Sequence, residues 1–127
     1  MKKLMLMALL VLGGCAGVQN SYQVASGSAV TPQEVYIIAN AFDAVELTAK
    51  SYDQLPLCST SGTYACRTMS VVRVIDRAVR TGIVARRALI AYVTANPGHV
   101  VPVTNYNALV VAVNTVQSYL ASVGVTK

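Results

Sequence analysis

The stretch TPQEVYIIANAFDAVELTAKSY, Thr31 to Tyr52, decides how the chain folds. Its residues Val35, Ile38, Phe42, Val45, Ala49 and Tyr52 recur at spacings of three and four. That period draws one apolar face along an α-helix, whereas a half-buried strand would alternate at every second residue. The start signals agree. Thr31 can cap the helix, Pro32 suits its first position, and Glu34 completes a T-x-x-E capping box. Pro56 stops it.

Working outward, a second helix is predicted from about Thr68 to Ala95, ending at the breaker Asn96-Pro97-Gly98. Its seam is Val71, Ile75, Ala78, Gly82, Ala85, Leu89 and Tyr92. Gly82 lies on the apolar side and reads as a site of close approach by a neighbouring helix, with a kink as the alternative. After the extended Gly98–Val103 link, Thr104 caps a third helix with the seam Tyr106, Leu109, Val113, Val116, Leu120 and Val123. Gly124 stands where a C-terminal glycine cap belongs. Three amphipathic helices joined by short links pack most simply as an all-α, antiparallel up-down-up bundle over residues 31–127.

Upstream, Lys2 and Lys3 precede an unbroken apolar run from Leu4 to Leu12, followed by Gly13-Gly14-Cys15-Ala16. Nine apolar residues fall short of the roughly 20 needed to span a bilayer. They suit the core of a secretory signal. Leu12-Gly13-Gly14-Cys15 resembles the lipobox of bacterial lipoproteins, Gly13 being a less usual occupant than Ala or Ser. The resemblance implies a signal peptide over residues 1–14, cleavage before Cys15, and a diacylglyceryl thioether with an acylated amino group on that cysteine. Ala16, in place of an inner-membrane-retaining Asp, implies the outer membrane facing the periplasm if the host is Gram-negative. Residues 15–30, small, polar and uncharged, read as a lipidated flexible tether, with an end-to-end distance of roughly 20 Å.

With Cys15 lipidated, Cys58 and Cys66 remain as a pair, and an oxidising compartment favours a disulfide between them. Two thiols without a nearby His or further Cys do not complete a zinc site, and their spacing is not C-x-x-C. Loss of Lys2 and Lys3 lowers the net charge from +5 by two, to +3. No basic-aromatic recognition motif appears, and nucleic acid is not expected as a partner.

No catalytic constellation emerges. His99 has no acidic or cysteine neighbour in sequence, Asp43 and Glu46 read as a solvated helix face, and neither a nucleophile elbow nor a phosphate loop is present. No metal or cofactor is implied beyond the lipid on Cys15. Arg73, Arg80 and Arg87 recur every seven residues, with Arg77 beside them, opposite the apolar seam. They form either a solvated face or a partner-binding surface for lipid head groups, lipopolysaccharide phosphates or acidic protein loops. Arg86 falls about 60° from Val71 and Leu89 on the helix wheel, within the apolar sector. It must either extend its head to water or pair with an anion. The hairpin register offers Glu34 as the partner in a structural ion pair. The third helix carries no charge and is either an oligomer face or deeply buried.

The expected function is a membrane-anchored envelope lipoprotein acting as a non-enzymatic interaction or structural module. Two alternatives stay open. One is a phage- or prophage-encoded lipoprotein that interferes with a surface receptor. The other is a small-ligand carrier or enzyme with a deep polar pocket around His99 or Arg86.

Overall fold

The computed structural model describes residues 22–59 and 65–125. Its order is β1 (Ala29–Val30), α1 (Pro32–Asp53), α2 (Met69–Ala95), β2 (Val101–Pro102) and α3 (Val103–Ser122). The expected signal peptide over residues 1–14, Cys15 and residues 16–21 lie outside the described residues.

Helix α1 forms as its sequence dictates. Thr31 is the N-cap in extended geometry; the Glu34 amide donates to Thr31 Oγ1 at 3.3 Å. In return the Thr31 amide donates to Glu34 Oε2 at 2.7 Å. That backbone hydrogen bond, with a second from the Thr31 hydroxyl, holds the Glu34 carboxyl below its ordinary pKa. All six seam residues of α1 are buried, joined by Ala39.

Three side-chain contacts fix the α1–α2 hairpin as antiparallel. Near the link, Tyr52 Oη accepts the Thr68 amide at 2.9 Å. Further down, Gly82 faces the Phe42 ring, and Asp43 meets Arg86. The link itself is cross-tied. Cys58 and Cys66 form a disulfide with Cα atoms 4.9 Å apart, within the usual bridging range. The Cys58 amide donates to the Arg67 carbonyl at 3.0 Å, the Arg67 amide donates to the Pro56 carbonyl at 2.9 Å, and the Arg67 guanidinium pairs with Asp53.

Helices α1 and α3 start side by side because β1 and β2, which lead directly into them, pair antiparallel as Ala29↔Pro102 and Val30↔Val101. Helix α3 is the inner helix. It packs on both α1 and α2 and buries Leu109, Val110, Ala112, Val113, Val116 and Leu120. Such a wide apolar face outweighs the modest helix penalty of its many valines. Burial explains the missing charge on α3, although Val111 and Tyr119 stay exposed. The helix closes as expected: Val125 N donates to Leu120 O and Gly124 N to Ala121 O, with Gly124 at φ +78°. That is a Schellman cap.

The α2 seam differs at its ends, where Val72 and Val93 are buried in place of Val71 and Tyr92. Both ends offer two adjacent apolar residues, and spacing alone cannot rank them. Helix α3 begins at Val103 with Pro102 as its cap; Thr104 lies within the first turn. The β1–β2 ladder runs straight into the helix there, so no separate capping residue intervenes.

A larger correction concerns the tether. Residues 22–30 do not hang free but lie antiparallel along α3. Asn107 accepts the Ala25 amide at 2.8 Å and donates to its carbonyl at 3.3 Å. Seven residues on, Asn114 accepts the Tyr22 amide at 3.1 Å and donates to its carbonyl at 2.7 Å. Each carboxamide thus matches one backbone unit, as a strand neighbour would, while Tyr22, Ala25 and Val30 pack on the core. Asn107→Ala or Asn114→Ala is each expected to cost about 1–2 kcal/mol, for two partly buried hydrogen bonds. Hydrogen exchange should show the Ala25 or Tyr22 amide, respectively, losing protection. Unchanged protection would mean that the segment is held by its apolar contacts alone.

Candidate functional site

Helix α2 projects its arginines in two directions. Arg73, Arg77 and Arg80 stand exposed on the outer face, where with Asp76 and Thr81 they line a shallow, open depression. Their spacing of four and three keeps them on adjacent turns of one stripe. Asp76 bridges to Arg80 at 3.3 Å, which offsets one positive charge in the cluster. Arg87 is exposed one heptad beyond Arg80 and does not line the depression. An open basic depression suits anions held at a surface rather than substrates taken into a cavity.

Arg86 faces the first helix, and its partner corrects the expected pair. Its Nη2 meets Asp43 Oδ2 at 2.7 Å, while Glu34 is occupied by the Thr31 cap. Two physical effects account for the change. A helical side chain leans over the turn N-terminal to its own Cα, so the Arg86 head lies at the level of Gly82. Gly82 faces Phe42, and Asp43 is the neighbour of Phe42. The Arg86 and Asp43 side chains keep 37% and 48% of their exposure, which places the pair in the weak, solvent-screened class. A double-mutant cycle of Arg86→Ala with Asp43→Ala is expected to give a coupling of about 0.5–1 kcal/mol. The cycle with Glu34→Ala should be additive. Coupling to Glu34 instead would contradict the observed pairing.

The remaining candidates are each accounted for locally. Glu46 pairs with Lys50 at 2.8 Å, so Asp43 and Glu46 each hold their own cation and do not act as a carboxylate pair. His99 is exposed, with Nδ1 3.2 Å from the Pro97 carbonyl. It belongs to the Asn96–His99 turn, where Gly98 takes φ +78°. Burial pushes the Tyr106 hydroxyl above its ordinary pKa, helped by the nearby Glu34 and Tyr22. Among the described residues the core contains no buried polar or charged side chain, and no three potential metal ligands gather. Neither His99 nor Arg86 lines the depression on α2. Among the described residues, no helix is long and apolar enough to cross a membrane.

Asn107 and Asn114 went unrecognised in the sequence. The available signal is that, of the four carboxamides on this uncharged helix (Asn105, Asn107, Asn114 and Gln117), Asn107 and Asn114 stand seven residues apart, a spacing that lines them up toward a single extended segment. No protein-family model, curated protein or solved structure matches the chain.

Proposed function

We propose that this chain is a bacterial envelope lipoprotein, anchored through lipid on Cys15, whose helical domain serves as a non-enzymatic interaction or structural module. The observation that carries this reading is Leu12-Gly13-Gly14-Cys15, placed after two lysines and a nine-residue apolar run. The Cys58–Cys66 disulfide supports it, because such bonds persist in exported proteins. Each buried methylene of an acyl chain contributes about 0.8 kcal/mol, so several chains on one cysteine would hold the domain at its leaflet firmly. Confinement to one leaflet raises the effective concentration of the arginine face near any neighbour, and modest contacts then suffice.

Fractionation tests the reading. The native chain is expected in the membrane fraction, resistant to high salt, and to incorporate labelled palmitate. Cys15→Ser should be soluble or unprocessed, and should lack the label. A native chain that is soluble and still begins at Met1 would overturn the proposal. Crosslinking in the intact envelope then identifies what the domain touches.

A further inference from the structure

The clamped N-terminal segment gives the anchored domain a direction. Its path along α3 climbs from the β1–β2 ladder, through Ala25 at Asn107, to Tyr22 at Asn114. From Asn114 the helix has eight more residues to Ser122, about 12 Å, before it reaches the end of the bundle that holds the disulfide link. Six residues, 16–21, separate Tyr22 from Cys15, and the seven Cα-to-Cα steps reach at most roughly 25 Å. A lipid on Cys15 can therefore lie beyond the link end by continuing the path already set. Reaching past the ladder end would require the chain to double back.

Charge distinguishes the same two ends. Among the described residues the ladder end carries Glu34, and the adjoining half of α2 adds the exposed Arg87 and the Arg86–Asp43 pair. The link end and the adjoining half of α2 carry Arg73, Arg77 and Arg80, with Asp76 among them, in addition to the Arg67–Asp53 pair. Arg73 lies about 6 Å from the start of α2, and helical side chains lean toward the N-terminus, which here is the link end. Leu57 and Met69, 56% and 46% exposed, stand at that same end and suit the boundary between head groups and acyl chains. From these observations we infer that the link end of the bundle, with Arg73, Arg77 and Arg80, docks on the anionic head groups of the bilayer that holds the Cys15 lipid. The inference rests on the lipoprotein reading.

The test uses the full chain, purified from membranes and reconstituted in two kinds of vesicle. One is phosphatidylcholine alone; the other is an equal mixture with phosphatidylglycerol. A fluorophore is placed at Ser70→Cys, at the link end of α2, or at Ala95→Cys, at the other end, and a head-group-attached quencher reports proximity. In the anionic vesicles the Ser70 position is expected to be quenched severalfold more than the Ala95 position, and the difference should shrink in phosphatidylcholine. The triple variant Arg73→Glu, Arg77→Glu, Arg80→Glu should lose the difference while still floating with the vesicles. The corresponding triple glutamine variant, with circular dichroism, guards against misfolding by charge reversal and should show an intermediate loss.

Equal quenching at both ends, or an unchanged difference in the glutamate variant, overturns the orientation while leaving the anchor intact. An unquenched Ser70 label combined with an arginine-dependent crosslink to an acidic envelope protein also overturns it. A native chain that floats with neither vesicle overturns the lipoprotein reading and the orientation together.

Discussion

Gly82→Ala is expected to destabilise the bundle by about 1–3 kcal/mol, the range for an overpacked core, although alanine is the better helix former by about 1 kcal/mol. The reason is steric. A Cβ on Gly82 would stand 2.1 Å from Phe42 Cε2 and 2.6 Å from Cζ, and the fully buried ring is wedged between helices. Moving it means parting α1 from α2 or tilting the ring out of its packing. Phe42→Ala, which empties the same space from the other side, is expected to cost about 3–5 kcal/mol, the largest effect of any single substitution considered. The decisive result is the combination. With Phe42 already alanine, adding Gly82→Ala should be neutral or stabilising by up to about 1 kcal/mol, because the clash is gone and the helix preference remains. Urea midpoints of the four proteins give the cycle. If Gly82→Ala stabilises the native protein, the close approach of the two helices is wrong.

Removing the disulfide is expected to have the next largest effect. Cys58 and Cys66 close a short loop, and the chain-entropy account of such a cross-link gives about 2–3 kcal/mol. For a domain of this size that corresponds to a fall in Tm of roughly 10–20 °C. The double variant Cys58→Ser with Cys66→Ser, and the native protein under reductant, should agree. The loss should concentrate in the link, where the Thr68 amide bonded to Tyr52 Oη and the Cys58 amide bonded to the Arg67 carbonyl would exchange faster. An unchanged Tm would show that the Arg67–Asp53 pair and the backbone bridge already hold the link without the bond.

Local rules explain what could be read from the chain. The capping box of Thr31 and Glu34, the turn at Asn96-Pro97-Gly98 and the Gly124 cap are each fixed by a few neighbouring residues, and all are present. The α1 seam was legible although Tyr36 and Ile37 stand beside Val35 and Ile38, because only the positions three and four apart continue along one face to Phe42, Val45, Ala49 and Tyr52; Tyr36 and Ile37 are exposed. The disulfide followed from the cysteine count once Cys15 was set aside. What could not be read depended on long-range geometry. Arg86 finds Asp43 rather than Glu34 because of side-chain lean and the wedge at Gly82, neither of which appears in a register drawn from helix lengths. The composition of residues 22–30 resembles a linker because the groups that hold it, Asn107 and Asn114, are more than 80 residues away. Small polar segments dock when a partner supplies hydrogen bonds for their backbone, and composition alone does not reveal that partner.

The candidate site divides along the same line. The stripe of Arg73, Arg77 and Arg80 was visible as a heptad pattern with one intervening arginine, whereas its nearness to the end toward which the N-terminal segment climbs required the fold. The clamps at Asn107 and Asn114 join these two features. They hold residues 22–30 along α3 and lead that segment toward the end of the bundle nearest the arginine stripe.

The most direct measurement is the intact mass of the full chain extracted from membranes without reductant. The expected mass is that of a protein that begins at Cys15, bears a diacylglyceryl group on its sulfur and an acyl group on its amine, and retains the Cys58–Cys66 bond, two hydrogens lighter than the reduced pair. A mass corresponding to a chain that still begins at Met1 with an unmodified Cys15 thiol would contradict it.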